Sequence, residues 1–166
     1  MERVNPNADF KQGLAELLPR LRRLARTLTG HAFDADDLVQ IALERALSRA
    51  DQWRPDARLD AWVFGILRNA WLDELRARTR RSRVFAPEEA GERIGEMALE
   101  RQADAMSVQA AMARLPEEQR EVVAFVLVEG LSYRETAEVL GIPIGTVTSR
   151  LARARTTLQA ALGEDA

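Results

Sequence analysis

Residues 131–158, LSYRETAEVLGIPIGTVTSRLARARTTL, decide the fold of this chain. Ser132 and Glu135 have the spacing of a capping box, in which each side chain bonds a free backbone N–H of the other residue at a helix start. Gly141 can adopt the positive φ of a tight turn, and Pro143 suits the opening of a second helix. The stretch is therefore predicted to form two short helices joined by a sharp turn.

The second of these predicted helices has an apolar side and a polar side. Its apolar residues recur at helical spacing and are Val147, Leu151, Ala154 and Leu158. On the opposite side and its flanks lie Thr148, Ser149, Arg150, Ala152, Arg153, Arg155 and Thr156. Small polar and Arg residues on such a helix are typical of a DNA-reading helix-turn-helix. The alternative is an ordinary helical hairpin whose arginines form a solvated face.

The composition indicates a folded chain without metal or cofactor chemistry. Its 166 residues suffice for one ordinary domain or two small ones, and 46% of them are hydrophobic. The absence of cysteine excludes disulfides and thiolate metal sites, and the single His31 cannot build a histidine cluster. No phosphate-binding glycine loop or nucleophile–base pair is visible, so an enzyme is the least supported class. No apolar run approaches a membrane span, and no signal peptide precedes the first helix, so a cytoplasmic protein without membrane insertion is expected.

The net charge of −2 hides two opposite charge blocks. Residues 66–83 hold six arginines against two acids, whereas residues 84–104 hold six acids against two arginines. Such blocks indicate separate basic surfaces joined by an acidic linker. Of the 24 basic residues 23 are Arg, which suits bidentate contacts to phosphate and guanine, although a codon bias explains this excess equally well.

The N-terminal half is predicted to begin with two amphipathic helices. The first covers residues 8–28 and ends at Gly30, with the arginines near its middle on a solvated face. The second is expected to start at Asp34 as N-cap and to end near Arg49. Its inward residues are predicted to be Leu38, Ile41, Ala42 and Leu47, and its outward residues Asp36, Asp37, Gln40 and Glu44. Asp36 and Asp37 are interpreted as acids that stabilise the N-terminus of the helix rather than as a catalytic pair. An acidic face that docks a basic partner remains an alternative.

A Trp-bearing loop and a long basic helix follow. Trp53 precedes Pro55 and is predicted either to cover the core or to offer a base-stacking platform. The helix is expected over residues 59–81, with Asn69 at the edge of its buried side and an arginine run after it. An Asn between a Trp-bearing loop and arginines makes a nucleobase contact plausible.

The C-terminal half is predicted to be a second small helical bundle. Val108, Ala111, Met112 and Leu115 indicate a short helix from about Met106, and Pro116 opens the next. The core of that helix is expected to comprise Val122, Val123, Phe125, Val126 and Leu127. The predicted fold class is all-α, with two small helical domains joined by an acidic linker.

At this point the chain resembles the extracytoplasmic-function (ECF, group IV) sigma factors of bacterial RNA polymerase. DADDLVQ at residues 34–40 is similar to the family's region 2.2, and residues 53–76 are similar to its regions 2.3 and 2.4. Residues 115–155 resemble region 4, where L-P-x-x-x-R precedes a helix-turn-helix ending G-T-V-x-S-R-x-x-R-A-R. The implied domains are region 2 at residues 8–83, a linker at residues 84–104 and region 4 at residues 105–161.

The resemblance implies roles for three groups of residues. The residues that would dock on the clamp helices of the largest polymerase subunit are Asp36, Asp37, Leu38 and Gln40. The residues that would bind a flipped base of the minus-10 element are Trp53, Arg54, Arg58 and Asn69. In the minus-35 major groove, bases would be faced by Thr148, Ser149, Ala152 and Arg153, and phosphates by Arg150 and Arg155. Core RNA polymerase and promoter DNA are the implied partners, and an anti-sigma factor is a candidate, since many relatives are inhibited by one.

Four positions depart from the family pattern, one of them Thr136, which replaces a usual aliphatic residue in the first helix of the helix-turn-helix. Ile41 stands where many members have Glu, Thr148 occupies a position that is often basic, and Ala152 one that is often larger. The minus-35 preference of a relative therefore cannot be transferred to this chain. The expected function is promoter recognition and transcription initiation with core polymerase, without catalytic chemistry of its own. The alternative is a stand-alone helix-turn-helix regulator whose N-terminal bundle serves for dimerisation.

Overall fold

Every regular element in residues 6–84 and 103–163, the parts that this computed structural model describes, is a helix, which confirms the all-α prediction. The α-helices are α1 (Pro6–Thr29), α2 (Ala32–Ser48), α3 (Leu59–Val84), α4 (Ala103–Arg114), α5 (Glu117–Val123), α6 (Tyr133–Leu140) and α7 (Ile144–Gly163). A 3₁₀ turn, Ala50–Gln52, follows α2, and a π-helical turn, Ala124–Val128, follows α5. Most of the predicted linker lies outside the described residues.

Helices α1–α3 form the N-terminal group, in which α1 supplies a long apolar stripe. Its buried residues are Phe10, Leu14, Leu21, Leu24, Ala25 and Leu28. Gly30 ends the helix with φ of +71°, as predicted, because its amide bonds the Arg26 carbonyl in a left-handed turn. The stripe packs against α2 and α3 and fixes the position of both helices.

The start and the buried side of α2 differ from the prediction. His31, rather than Asp34, is the N-cap, because its Nδ1 accepts the backbone N–H of Phe33 at 3.2 Å. The buried residues of α2 are Ala35, Leu38, Val39, Ala42 and Ala46. Ile41 and Leu47 lie about 120° to either side of this narrow strip. They are 38% and 48% exposed, so their predicted inward positions were wrong.

Helices α4–α7 form the C-terminal group, and the π-helical turn changes the register of its core. Val122, Val123 and Phe125 are buried as expected, but Leu127 is 48% exposed. The amide of Glu129 bonds the carbonyl of Ala124, five residues back, at 2.9 Å. Because a π turn holds more residues than an α turn, a position extrapolated at α-helical spacing leaves the buried face. Val108, also predicted inward, is 56% exposed on α4.

The two groups pack against each other and share one hydrophobic core. The rings of Phe64 in α3 and Phe125 in the π-helical turn lie 6.4 Å apart, and both side chains are fully buried. The guanidinium of Arg20 in α1 lies 4.9 Å from the centre of the Phe64 ring. An aromatic pair covered by a cation therefore joins the groups at their centre.

Candidate nucleic-acid interface and partner surfaces

Local hydrogen bonds build the helix-turn-helix of α6 and α7. Ser132 Oγ accepts the Glu135 amide and Glu135 Oε1 accepts the Ser132 amide, both at 3.0 Å, so the predicted capping box is present. Gly141 has φ of +66°, and the amide of Ile142 bonds the Ala137 carbonyl at 3.1 Å. The Pro143 carbonyl then accepts the amides of Thr146 and Val147 in the first turn of α7. The turn between the helices is therefore set by sequence-local chemistry.

One side of α7 is buried and the other is open to solvent. Val147, Leu151 and Ala154 are buried, as predicted. The residues exposed on α7 include Thr148, Ser149, Ala152, Arg153 and Arg155, whereas Arg150 is half-buried and lies 3.7 Å from Glu118. The Thr148 and Ser149 hydroxyls donate to the carbonyls of Ile144 and Thr146 and keep lone pairs for an incoming donor. Within the described ranges no carboxylate pairs with Arg153 or Arg155.

The Trp-bearing loop between α2 and α3 is held by the Trp53 side chain. Its indole N–H donates to the Ala57 carbonyl at 3.2 Å, and its ring lies 5.6 Å from that of Phe10. Trp53 is half-buried, so one edge packs on the core while part of its surface remains available. The core contact, one of the two alternatives for this residue, is therefore observed. Arg54 is exposed on the same loop.

Asn69 does not adjoin this loop. It is exposed on α3, on a side that faces away from its buried neighbours Ile66 and Ala70. From the start of α3 at Leu59, Asn69 is about 15 Å further along the helix. The structure therefore groups Trp53, Arg54 and Arg58, and places Asn69 at a second point on the same helical scaffold.

The outward side of α2 carries the acidic and amide residues expected there. Asp36, Asp37 and Gln40 are exposed, whereas Leu38 is only 4% exposed and packs into the core. Leu38 therefore holds the helix in place and offers little contact surface. Phe33, at 70% exposure, and Ile41 extend this surface, which we call the α2 outer face. The sequence prediction missed both as part of this surface, although each lies four residues, about one helical turn, from Asp37, and this spacing was the available signal.

An ion cluster that the sequence did not reveal joins the two helix groups. We call it the bridging cluster, and its members are Arg20, Arg23, Arg58, Asp60, Glu129 and Glu135. The Glu129 side chain is fully buried and lies 3.2 Å from Arg20 Nε and 2.9 Å from Arg23 Nε. Arg20 also bonds the backbone carbonyl of Glu129 at 3.2 Å. Arg20 and Arg23, predicted to be solvated, therefore bind a carboxylate more than a hundred residues away in the chain.

The second half of the bridging cluster centres on Arg58 and Asp60. Arg58 bonds Glu135 of α6 and lies 2.6 Å from Asp60, which also pairs with Arg20 at 3.1 Å. Burial alone would raise the pKa of Asp60, but hydrogen bonds from Arg58, the Ala61 amide and Arg20 together lower it. Hydrogen bonds from Ser132, and then the charge of Arg58, lower the pKa of Glu135. The lowered pKa values favour the charged form of the Asp60 and Glu135 carboxylates.

One more ion pair joins the two helix groups. Arg68 of α3 lies 3.0 Å from Glu121 of α5, whose side chain is 5% exposed. In residues 6–84 and 103–163 no cluster of His, Asp and Glu has the arrangement of a metal site. None of the described helices combines the length and apolarity that crossing a bilayer requires.

Comparison with known proteins assigns this architecture. The family model Sigma-70 region 2 matches residues 14–81, and Sigma-70, region 4 matches residues 105–158. These two matches define a sigma-70-type protein, a class that a stand-alone helix-turn-helix regulator does not fit. The ECF RNA polymerase sigma factor EcfG of Rhodopseudomonas palustris is 37% identical, over 94% of this chain and 86% of the relative. The ECF RNA polymerase sigma factor SigM of Mycobacterium tuberculosis is 40% identical, over 87% of this chain and 72% of the relative.

Solved structures agree with the sequence relatives. The sigma factor RpoE from Bartonella quintana, crystallised with the anti-sigma factor NepR, matches with a TM-score of 0.82 and 32% identity. That match covers 95% of this chain and 99% of RpoE. CnrH in complex with the cytosolic domain of CnrY matches with a TM-score of 0.69 and 28% identity, over 95% of this chain and 89% of CnrH. The chain belongs to the ECF RNA polymerase sigma factors, and it directs transcription initiation as a subunit of that polymerase.

Proposed function

We propose that the two helix groups divide the work of promoter recognition. Residues 8–83 act as region 2, which docks on core RNA polymerase and recognises and melts the minus-10 element. Residues 105–161 act as region 4, which reads the minus-35 element, and residues 84–104 link them. The two family matches, at residues 14–81 and 105–158, support this division. Two weak DNA contacts on one tethered scaffold gain strength through effective concentration.

The main support for this proposal is the solvent-exposed side of α7. It presents hydroxyls at Thr148 and Ser149, a methyl group at Ala152 and an unpaired guanidinium at Arg153, opposite a buried stripe. Such a surface suits donors and acceptors of major-groove bases and the thymine methyl group. Arg155 flanks it and holds a phosphate, and Arg150 does the same after release from Glu118.

The α2 outer face is proposed to dock on the clamp helices of the largest polymerase subunit. Asp36, Asp37 and Gln40 are exposed there to meet basic and polar groups of the partner. Ile41 adds an apolar contact in place of the more common Glu, and Phe33 offers the largest apolar side chain of the face. Leu38 supports these residues from the core.

The minus-10 element is proposed to be held by the Trp-bearing loop and α3. Trp53, Arg54 and Arg58 provide a stacking ring and two cations, and Asn69 provides an amide further along the helix. A base that leaves the stack needs such a surface for its ring and for its hydrogen-bonding edge. The basic surface after Asn69 attracts the phosphates of the melted strand. Its exposed arginines are Arg76, Arg78, Arg80, Arg81 and Arg83.

The partners and location of the chain follow from this role. We infer that it acts in the cytoplasm, where the polymerase lies, and that nucleotide addition is left to core polymerase. An anti-sigma factor is a proposed partner because RpoE was crystallised with the anti-sigma factor NepR, and CnrH was solved in complex with the cytosolic domain of CnrY. Such a partner would compete for the surfaces that bind polymerase and DNA.

The test is reconstitution of the full chain with core polymerase on a library of promoter fragments. Promoter-dependent transcripts are expected with the wild-type chain, and Asp37→Lys is expected to weaken core binding at least tenfold. Asp56→Lys, which makes the same charge change on the Trp-bearing loop, is the matched control for core binding. If the chain neither binds core nor yields promoter-dependent transcripts, the proposal is wrong.

Replacement of Asn69 tests the minus-10 assignment separately. Asn69→Ala is expected to slow open-complex formation by about tenfold, because a flipped base would lose hydrogen bonds worth about 1–2 kcal/mol. Permanganate reactivity of unpaired thymines measures the melting, and duplex retention by holoenzyme measures binding. Ser82→Ala, on the same helix, should leave both unchanged. Normal melting with Asn69→Ala would remove this residue from the base-binding surface.

A further inference from the structure

We propose that one row of side chains on α7 recognises the C5-methyl groups of thymines in the minus-35 element. The row consists of Thr148, Ala152 and Thr156, and we call it the methyl row. This role depends on the proposed reading of the minus-35 element by α7, and it gives Thr156 a base contact as well. Because thymine is the base that carries a methyl group in the major groove, the methyl row selects A·T pairs.

The three residues follow one another at intervals of four positions along α7, and all three are exposed. Neighbouring members of such a row have Cβ atoms about 5–6 Å apart, and the whole row covers about 12 Å of helix. This length corresponds to about three or four base-pair steps of about 3.4 Å each. Helix α7 begins at Ile144, so Thr148 lies near the end of a recognition helix that reaches base edges.

The hydroxyl groups of the methyl row donate their hydrogens to the helix itself. Thr148 Oγ1 donates to the Ile144 carbonyl and Thr156 Oγ1 donates to the Ala152 carbonyl, both at 3.1 Å. Because a hydroxyl has one hydrogen to donate, neither residue offers a donor to the acceptors of guanine or thymine. The methyl group is therefore the feature that all three side chains present to the groove.

The residues beside the methyl row supply a different chemistry. Ser149 also donates its hydroxyl hydrogen within the helix, to the Thr146 carbonyl at 3.2 Å. Among the residues proposed to face bases, Arg153 thus keeps free hydrogen-bond donors, and a guanidinium suits the O6 and N7 acceptors of guanine. The exposed side of α7 therefore combines one cation for a G·C pair with a row of methyl groups for neighbouring A·T pairs.

Removal of the thymine methyl group tests this contact directly. The minus-35 sequence that holoenzyme selects from a random library is synthesised with deoxyuridine in place of one thymine at a time, which keeps base pairing. Each replacement beneath the methyl row should weaken holoenzyme binding about three- to fourfold, because one buried methyl-sized group is lost. The same replacements in the spacer between the two promoter elements are the control and should leave binding unchanged.

Two substitutions of Thr148 provide the matching change on the protein. Thr148→Ser removes the methyl group and keeps the hydroxyl, whereas Thr148→Val keeps a methyl group and removes the hydroxyl. At the contacted position, the ratio of the dissociation constants for uracil and thymine DNA should fall to about one with Thr148→Ser. It should stay about three- to fourfold with Thr148→Val. Thr156→Ser should abolish the discrimination at a second position. Comparison of two DNAs with one variant cancels any effect of the substitution on folding.

Three outcomes would overturn the methyl row. They are equal binding of uracil and thymine promoters by the wild-type chain, a selected minus-35 element without A·T pairs, and a uracil penalty that neither serine variant reduces. Arg153→Ala is measured on the same promoters. Weaker binding with Arg153→Ala but indifference to uracil would reject the methyl row alone. A holoenzyme without preference for any minus-35 sequence would reject the proposed function of α7.

Discussion

Arg153 and Arg155 stand two residues apart on α7 and offer DNA two different kinds of contact. Arg153 lies on the side opposite Val147 and Leu151, whereas Arg155 projects from the flank, and both are exposed. A guanidinium at the centre of such a face can reach base edges, and one at the flank reaches the backbone. The two residues therefore form a matched pair for mutation.

The two substitutions should have different effects on promoter binding. Arg153→Ala should cost about 1–3 kcal/mol on the preferred minus-35 sequence and relax preference at one base pair. Arg155→Ala should weaken binding on all sequences. It should also reduce the slope of the logarithm of the binding constant against the logarithm of the salt concentration by about one. Holoenzyme binding to single-base promoter variants at several salt concentrations measures both. An equal loss on every sequence for Arg153→Ala would reassign it to a phosphate.

Asp60 should make the stability of the chain depend on pH. Asp60 has a lowered pKa in the folded chain: burial opposes the shift, and Arg58, the Ala61 amide and Arg20 outweigh it. Its stabilising contribution is complete above its unfolded pKa, near 4, and disappears as the pH falls through the folded value.

Urea unfolding between pH 6 and pH 2 tests this linkage. The wild-type free energy of unfolding should fall more steeply below about pH 4 than that of Asp60→Asn. Asp56→Asn, at an exposed position of the preceding loop, should keep the wild-type slope. The role given to Asp60 would be rejected by parallel curves for wild type and Asp60→Asn.

At the residue scale, the sequence predicted local chemistry well. Ser132, Glu135 and Gly141 were assigned correctly because their partners lie within a few residues. Asp34 was wrong as N-cap because an imidazole nitrogen can accept the same kind of bond, and His31 does. The roles of Arg20 and Arg23 could not be predicted, since Glu129 reaches them only through the tertiary fold.

At the scale of the element, the turn of the helix-turn-helix depends on one backbone conformation. Gly141 has φ of +66°, where an added Cβ would be strained even though no atom lies within 4 Å of it. Gly141→Ala should therefore destabilise the chain by about 1–2 kcal/mol. Gly145, in the first turn of α7, has equally open surroundings and no positive φ.

Gly145→Ala is thus the matched control for the turn. It should leave stability unchanged or raise it by up to about 1 kcal/mol, because alanine favours helix. Thermal and urea unfolding of both variants give the comparison. Similar losses of stability in the two variants would indicate that steric crowding by the added methyl group, rather than backbone strain, explains the effect at Gly141.

Helix periodicity predicted which elements form but overestimated how much of each is buried. Ile41, Leu47 and Leu127 fit apolar spacing, yet no neighbouring helix covers them. For α2 the reason is a narrow contact strip of small residues, and for Leu127 it is the π-helical turn. Periodicity reports the direction of a side chain along one helix and carries no information about the width of the opposing surface.

The contact between the two helix groups combines apolar burial with ion pairs. Phe64 and Phe125 favour this contact through burial, and the bridging cluster adds ion pairs at the edge of that contact. The half-exposed pairs of Arg23 and Arg58 are the ones that dissolved salt can screen. The Debye length falls from about 10 Å at 0.1 M to about 3 Å at 1 M.

The free chain is accordingly expected to expand in salt. Small-angle scattering should show a larger radius of gyration at 1 M NaCl than at 0.1 M, because salt weakens the exposed ion pairs that join the two helix groups. The Glu129→Gln variant should have a larger radius of gyration at 0.1 M NaCl, and its radius should increase less with added salt. An unchanged radius for the wild-type chain over this range would show that apolar contact alone holds the two helix groups together.

The sequence predicted two helical groups and could not predict how they meet. Each group folds from contacts between neighbours in the chain, which periodicity and capping reveal. The interface joins α1 and α3 to residues more than fifty positions later, such as Arg68 to Glu121. Nothing in a linear charge pattern distinguishes such a pair from arginines and acids that face water.

The distribution of aromatic residues gives this molecule an internal spectroscopic reporter. All three tryptophans, Trp53, Trp62 and Trp71, belong to the N-terminal group or its loop, while the single tyrosine, Tyr133, begins α6. Excited tyrosine passes its energy to tryptophan only when the two are close. Tyr133 follows the N-cap Ser132, close to the Arg58–Glu135 pair, so its own emission should be quenched while the two helix groups are in contact. Recovery of that emission would report separation of the groups in real time, without any label.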